Sequence, residues 1–278
     1  MRDWENNIRR VVPYTPGEQP KNTCVIKLNT NENPYPPAPG VKEVLSNFNT
    51  DDLRLYPDPR VDKLVNAIAD FYKIDSSKVF VGVGSDDVLA MIFMTFFNSK
   101  KPILFPDITY SFYDVWADML RIPFETKALD DDFQIRKEDY YGENGGVVFP
   151  NPNAPTGILM PLSEIEDIIA HNRNVIVVVD EAYIDFGGES ALPLIEKYDN
   201  LLVVQTFSKS RSLAGMRLGF AMGNEKLIRY INDVKYSFNS YTLNQTALSL
   251  GVQAIKDREY FEETCAKVIA TRQWTKCE

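Results

Sequence analysis

Short runs that are apolar throughout, rather than at every second residue, recur along this chain between stretches of helical periodicity. Lys78-Val79-Phe80-Val81-Gly82-Val83-Gly84 precedes a helical pattern from Asp86 to Phe97, and Pro102-Ile103-Leu104-Phe105 precedes one from Thr109 to Leu120. Gly146-Val147-Val148-Phe149-Pro150 leads to a helix over 162–171, and Val175 to Val179 and Leu201 to Phe207 repeat the strand signal. A strand with no polar face has to be covered on both faces, which parallel strands achieve with crossover helices. The pattern predicts an α/β fold, a mostly parallel sheet wrapped by helices. Residues 1–60 read as an arm, with a proline-rich run from Asn33 to Gly40 and a second proline cluster at Leu55-Tyr56-Pro57-Asp58-Pro59. From Tyr241 to about Arg272, the spacing of Leu243, Ala247, Leu248, Val252 and Ile255 predicts one long helix.

Composition narrows the chemistry. The 278 residues are 44% hydrophobic and 25% charged, enough for a sizeable core without disulfides. Thirty Lys and Arg against 39 Asp and Glu leave a net charge of −9, which repels a phosphate backbone and an anionic bilayer alike. Nucleic acid and membrane are not expected partners. Cys24, Cys265 and Cys277 are widely spaced with no C-x-x-C pair, which argues for reduced thiols in a cytoplasm. The N-terminal residues have no signal-peptide core, and no apolar run approaches the ~20 residues of a membrane span. His171 is the only histidine and reads as the end of a helix, so histidine triads and multi-histidine metal sites are not expected.

In open α/β sheets the reactive groups collect beyond the carboxyl ends of the strands. Val175–Val179 ends in Asp180-Glu181-Ala182-Tyr183, which puts a carboxylate at the end of a buried strand, where it needs a partner. Leu201–Phe207 ends in Ser208-Lys209, where partial desolvation would favour a nucleophilic amine. Taken singly, Asp180 reads as a helix cap and Lys209 as a solvated loop lysine. Anion-binding elements lie nearby in sequence: Gly82-Val83-Gly84-Ser85-Asp86 runs from a strand into a helix, and Ser208 and Arg217 can hold a phosphate. A cofactor that is an aldehyde, a pyridine and a phosphate at once needs all of these groups, and pyridoxal phosphate is that cofactor. A nicotinamide enzyme is an alternative resting on Gly82 and Gly84 alone.

The chain resembles the fold-type I pyridoxal-phosphate-dependent aminotransferases of class II, most closely those acting on L-histidinol phosphate. The resemblance is carried by Lys27-Leu28-Asn29-Thr30-Asn31-Glu32-Asn33-Pro34, by Asn151-Pro152-Asn153-Ala154-Pro155-Thr156-Gly157, by Val179 to Tyr183, and by Thr206 to Ser210 with Arg217 following. It implies that Lys209 holds the cofactor, Asp180 meets the pyridine nitrogen, Tyr183 meets the phenolic oxygen and Tyr110 stacks on the ring. It also implies phosphate contacts from Ser85, Asp86 through its backbone N–H, Ser208 and Arg217, with Tyr56 reaching in from a neighbouring subunit. Tyr14 and Asn33 are the implied substrate contacts, and an obligate homodimer follows. Two departures stand out. Ala154 occupies the position where these enzymes usually carry the asparagine that bonds the phenolic oxygen, which leaves Asn153 as the nearest amide.

The second departure is an expectation from the resemblance: the segment that completes the small domain and carries the arginine for the substrate carboxylate would follow Glu278, so the chain reads as truncated. The implied division is an N-terminal arm with a small-domain segment over 1–50, a large cofactor domain over 51–255, and the start of a truncated small domain over 256–278. The implied reaction is transamination of L-histidinol phosphate with 2-oxoglutarate in histidine biosynthesis. Alternatives are an aromatic aminotransferase, a phosphothreonine decarboxylase, or an incompetent fragment that still binds the cofactor.

Overall fold

The computed structural model describes residues 2–21 and 25–278. After an N-terminal segment with little regular structure, the order is α1 (Pro39–Ser46), α2 (Asp62–Tyr72), β1 (Val79–Gly82), α3 (Ser85–Phe96), β2 (Ile103–Pro106), α4 (Tyr113–Leu120) and β3 (Phe124–Lys127). Next come β4 (Gly146–Pro150), α5 (Leu162–His171), β5 (Val177–Asp180), β6 (Leu201–Thr206) and β7 (Gly219–Gly223). The chain closes with α6 (Glu225–Phe238), α7 (Gln245–Lys256) and α8 (Arg258–Cys277). Among the described residues, no helix is long and apolar enough to cross a membrane.

The strands form one seven-stranded sheet in the order β1-β7-β6-β5-β4-β2-β3. Pairing is parallel from β6 through β5, β4 and β2 to β3, and β7 runs antiparallel between β6 and β1. The apolar runs are buried on both faces, as their composition predicts. Val147, Phe149, Val177, Val179, Leu201 and Val203 pack with Leu64, Ile68, Ile165, Ile168, Ala247 and Leu250 of α2, α5 and α7. The alternate residues Val148, Val178, Leu202 and Val204 pack with Leu89, Ile92, Phe93, Trp116 and Ile231 of α3, α4 and α6.

Some expectations need correction. β3 is an exposed edge strand of sequence Phe-Glu-Thr-Lys, so it carries no apolar run to betray it. β7, bounded by Gly219 and Gly223, is a strand that the apolar runs named above do not include. The single helix expected from Tyr241 onward is two, α7 and α8. They break at Asp257, whose carboxylate accepts from Tyr260 N at 3.1 Å and caps α8. Apolar spacing carries across a one-residue break, so periodicity alone misses it. Residues 1–60 are also less arm-like than expected, since α1 packs Val41 into the core. His171 is the last residue of α5, bonded to Asp167 O and stacked on Tyr141 at 3.8 Å. Cys265 is buried, which pushes its thiol up to about 12, and Cys277 is exposed. Cys24 lies outside the described residues.

Candidate active site

Register decides which chain ends meet. Gly82 at the end of β1 and Thr206 at the end of β6 both pair with Gly219 at the start of β7, while Asp180 at the end of β5 pairs with Val204. One edge of the sheet therefore gathers the N-terminus of α3, the Ser208-Lys209 loop, Arg217 and Asp180. Gly219 is required there: a Cβ at that position would collide with the backbone of Gly84 and Ser85. Gly84 has φ +88, and a Cβ on it would lie 2.7 Å from the Arg217 guanidinium.

These groups line a cleft of ≈ 630 Å³, within the size range of small-molecule sites. At its floor lies Asp180, 4% exposed. Its Oδ2 accepts from the Tyr113 hydroxyl at 2.9 Å and its Oδ1 from Ala182 N at 3.2 Å. Burial pushes the carboxyl up to about 6, and those two bonds only partly offset it. At one end, Ser85, Ser208 and Arg217 line the cleft together with the N-terminus of α3. Asp86 bridges two expected contacts there, accepting from Tyr110 Oη at 2.6 Å and from Arg217 Nη2 at 3.1 Å. Burial and Asp86 together push the Tyr110 phenol far up, so it stays a donor.

Lys209 is half-buried between the floor and an irregular segment crossing above it. Its Nζ donates to Thr30 O at 3.0 Å and lies 5.3 Å from the centre of the Tyr183 ring. Asn31, held at φ 51, donates through its amide to Tyr183 Oη at 3.0 Å. A second lobe of ≈ 570 Å³ continues outward past Asn33, Ala154 and Tyr183 to Arg272 on α8.

The structure thus brings together Ser85, Asp86, Tyr110, Asp180, Tyr183, Ser208, Lys209 and Arg217, with Tyr14 at the mouth of its own chain's cleft, stacked on Phe112 at 4.3 Å. Two expected residues differ. The Asn153 amide is turned away, donating to Ile108 O and accepting from Thr109 Oγ1, because the chain turns here, with Gly157 N bonded to Asn153 O at 2.7 Å; Ala154 lines the cleft instead. Asn33 spends its amide on Lys209 O at 2.9 Å and its oxygen on Tyr35 N, so it braces the lysine loop. Tyr56, expected to serve a neighbouring subunit, is 81% exposed beside Tyr241 and lies outside its own chain's cleft. Sequence reasoning missed Tyr113 and Asn31. Tyr113 opens α4 while Tyr110 lies outside it, and their rings meet edge to face at 5.7 Å, so no helical spacing marks Tyr113 in the sequence.

The donor set fits a ligand carrying a basic ring nitrogen, an amine-reactive carbon and an anionic tail: a buried carboxylate, an amine and an anion cup face one another across a single cleft. The chain belongs to the class I and II aminotransferase family, whose profile matches residues 23–275. Within that class, it is 55% identical over 272 residues to the histidinol-phosphate aminotransferase of Pseudomonas putida, covering 98% of this chain and 78% of that enzyme. It is 53% identical to the histidinol-phosphate aminotransferase of Clostridium botulinum, covering 98% and 77%. The fold matches the crystal structure of histidinol-phosphate aminotransferase from Sinorhizobium meliloti in complex with pyridoxal-5'-phosphate, with TM-score 0.80, 23% identity, and 88% and 68% of the two chains covered. It also matches that from Clostridium acetobutylicum, with TM-score 0.77, 23% identity, and 85% and 71% covered.

Proposed function

We propose that the chain is a pyridoxal 5'-phosphate-dependent transaminase that moves the amino group of L-histidinol phosphate to 2-oxoglutarate, a step of histidine biosynthesis. One observation carries the reaction class: Asp180, Lys209 and the Ser85–Ser208–Arg217 cup line one cleft. The substrate rests on the relatives, which are identical to this chain at more than half of the aligned positions and are named for it. When bound, pyridoxal phosphate supplies an electron sink for the pair released as a Cα–H bond breaks. Asp180 holds the proton at the pyridine nitrogen, and Tyr183 steadies the phenolic oxygen. Ser85, Ser208, Arg217 and the backbone N–H of Asp86 bind the phosphate. Tyr110 stacks on the ring. Lys209 anchors the cofactor and, once substrate has displaced it, takes the proton from the substrate Cα through Nζ.

The same reading makes the protein a cytoplasmic homodimer in which Tyr56 completes a neighbour's phosphate site and Tyr14 meets substrate. What supports the dimer is exposed apolar surface at Val12, Ile26, Leu28, Leu55, Tyr56 and Tyr241. The reading also keeps the division into 1–50, 51–255 and 256–278. A visible absorption titration tests it. Added pyridoxal phosphate should give a protein-bound band that L-histidinol phosphate converts to the pyridoxamine form, while L-phenylalanine and O-phospho-L-threonine leave it in place. A bound band that responds only to one of the latter two would reassign the substrate; no bound band would remove the cofactor.

A further inference from the structure

We propose that Tyr113 is a positioning residue for the floor of the cleft: its hydroxyl fixes the Asp180 carboxylate in the orientation and ionised form that can hold a protonated ring nitrogen. The proposal rests on reading the cleft as a pyridoxal phosphate site.

Among the described residues, the hydrogen bonds to the Asp180 carboxylate are those from Tyr113 Oη to Oδ2 at 2.9 Å and from Ala182 N to Oδ1 at 3.2 Å. One donor on each oxygen fixes the carboxylate plane, and Asp180 still lines the cleft. Tyr113 cannot drift, being fully buried with its ring wedged against Phe105 at 5.8 Å, Trp116 at 6.3 Å and Tyr110 at 5.7 Å. It also stays a donor, because burial and Asp180 itself push its phenol well above the ordinary value.

The charged and titratable groups around Asp180 act in different directions. Desolvation is the largest influence and favours the neutral acid, and Asp86 at the start of α3 adds to it. Tyr113 and Ala182 N favour the carboxylate. Tyr110 packs against Tyr113, and Lys209 faces the cleft from the loop after β6. Of the two groups favouring the carboxylate, only Tyr113 is a side chain. Without its hydroxyl, desolvation and Asp86 act against a single backbone N–H. The acid would then hold its proton near neutral pH and could not balance a cationic ring.

Tyr113→Phe keeps the ring and deletes the hydroxyl. In the ligand-free chain, the Asp180 titration followed by carboxyl 13C NMR should move upward by about one pH unit. At pH 6 the Kd for pyridoxal phosphate should rise about fivefold, because that shift cuts the ionised fraction of Asp180 from about one half to about one tenth. Combined with Asp180→Asn, Tyr113→Phe should weaken binding no further than Asp180→Asn alone, since the hydroxyl acts through the carboxylate. An unmoved Asp180 titration, or additive losses in the double variant, would overturn the proposal and leave Tyr113 a core ring. Failure of the unaltered chain to bind pyridoxal phosphate would overturn the cleft's assignment instead. The two failures are separable, because the carboxyl titration is read without ligand.

Discussion

Lys209 lies between two walls built on opposite physical terms. The inner wall is made of strand ends: Asp180 closes β5, Ser208 follows β6, and both sit on side chains buried on both faces of the sheet. The outer wall, residues 27–34, has no regular structure and is largely exposed, held over the lysine by a few side-chain bonds from Asn31 and Asn33. The inner wall is preorganised because moving it means moving the sheet. The outer wall has little burial to lose and belongs to the low-stability end of the molecule, where a segment can shift as ligands exchange. Groups whose charge must be held constant sit on the first wall, and groups that brace or cover the lysine sit on the second.

The contrast can be broken by substitution, and the largest effect is expected at the point where the walls meet. Lys209→Ala should cost roughly 10⁴-fold in turnover and remove the visible band of bound pyridoxal phosphate, as read in a desalted sample. An unchanged spectrum would sink the assignment of the anchoring amine. On the inner wall, Asp180→Asn should keep the fold and slow the half-reaction with L-histidinol phosphate by roughly 10²–10³-fold, measured by stopped-flow absorbance. Near-normal kinetics would mean the floor charge is not used.

The inner wall also predicts a pH signature. Burial raises the Glu181 carboxyl to about 7, so its folded value lies above its unfolded one. Its contribution to stability is complete below the unfolded value and is lost as pH rises through about 7. Glu181→Gln should therefore remove a loss of ~3 kcal/mol between pH 4 and 8, measured by urea denaturation of the ligand-free chain against the unaltered protein. A parallel pH dependence in both would show that Glu181 is not desolvated as its burial requires.

Smaller effects belong to the outer wall. Asn33→Ala deletes the amide that holds Lys209 O, and a single such bond is worth about a fivefold loss in kcat with cofactor affinity and melting temperature little changed. A cooperative loss of stability would show instead that this segment is part of the core. Tyr14→Ala removes a ring stacked on Phe112 and should raise the KM for L-histidinol phosphate a few-fold, with kcat nearly constant. A fall in kcat with KM fixed would place Tyr14 on the reacting side of the cleft.

Legibility followed the same division. Asp180, Lys209 and Ser85 announce themselves because each ends or follows an apolar run, where a polar group is costly to bury without a partner. Tyr113 was invisible because a tyrosine beside Trp116 in a helical pattern looks like any core ring until its hydroxyl is found 2.9 Å from a carboxylate. Asn153 was the reverse case: its type matched the need, and the turn that it opens sent its amide to Ile108 and Thr109.

By itself the sequence determined the layering of the fold and the candidate groups for the site, because burial on both faces and the chemistry of an amine, an acid and anion-binding side chains are properties of residue type and local order. Only the tertiary structure decided which of them meet. Arg217 reaches the cup because β7 runs antiparallel, which brings its first residue beside Thr206 and Gly82. Asn31 meets Tyr183 because a segment 152 residues away in the chain crosses over the strand ends. Contacts of that separation depend on register and chain path, which no local pattern of side chains encodes.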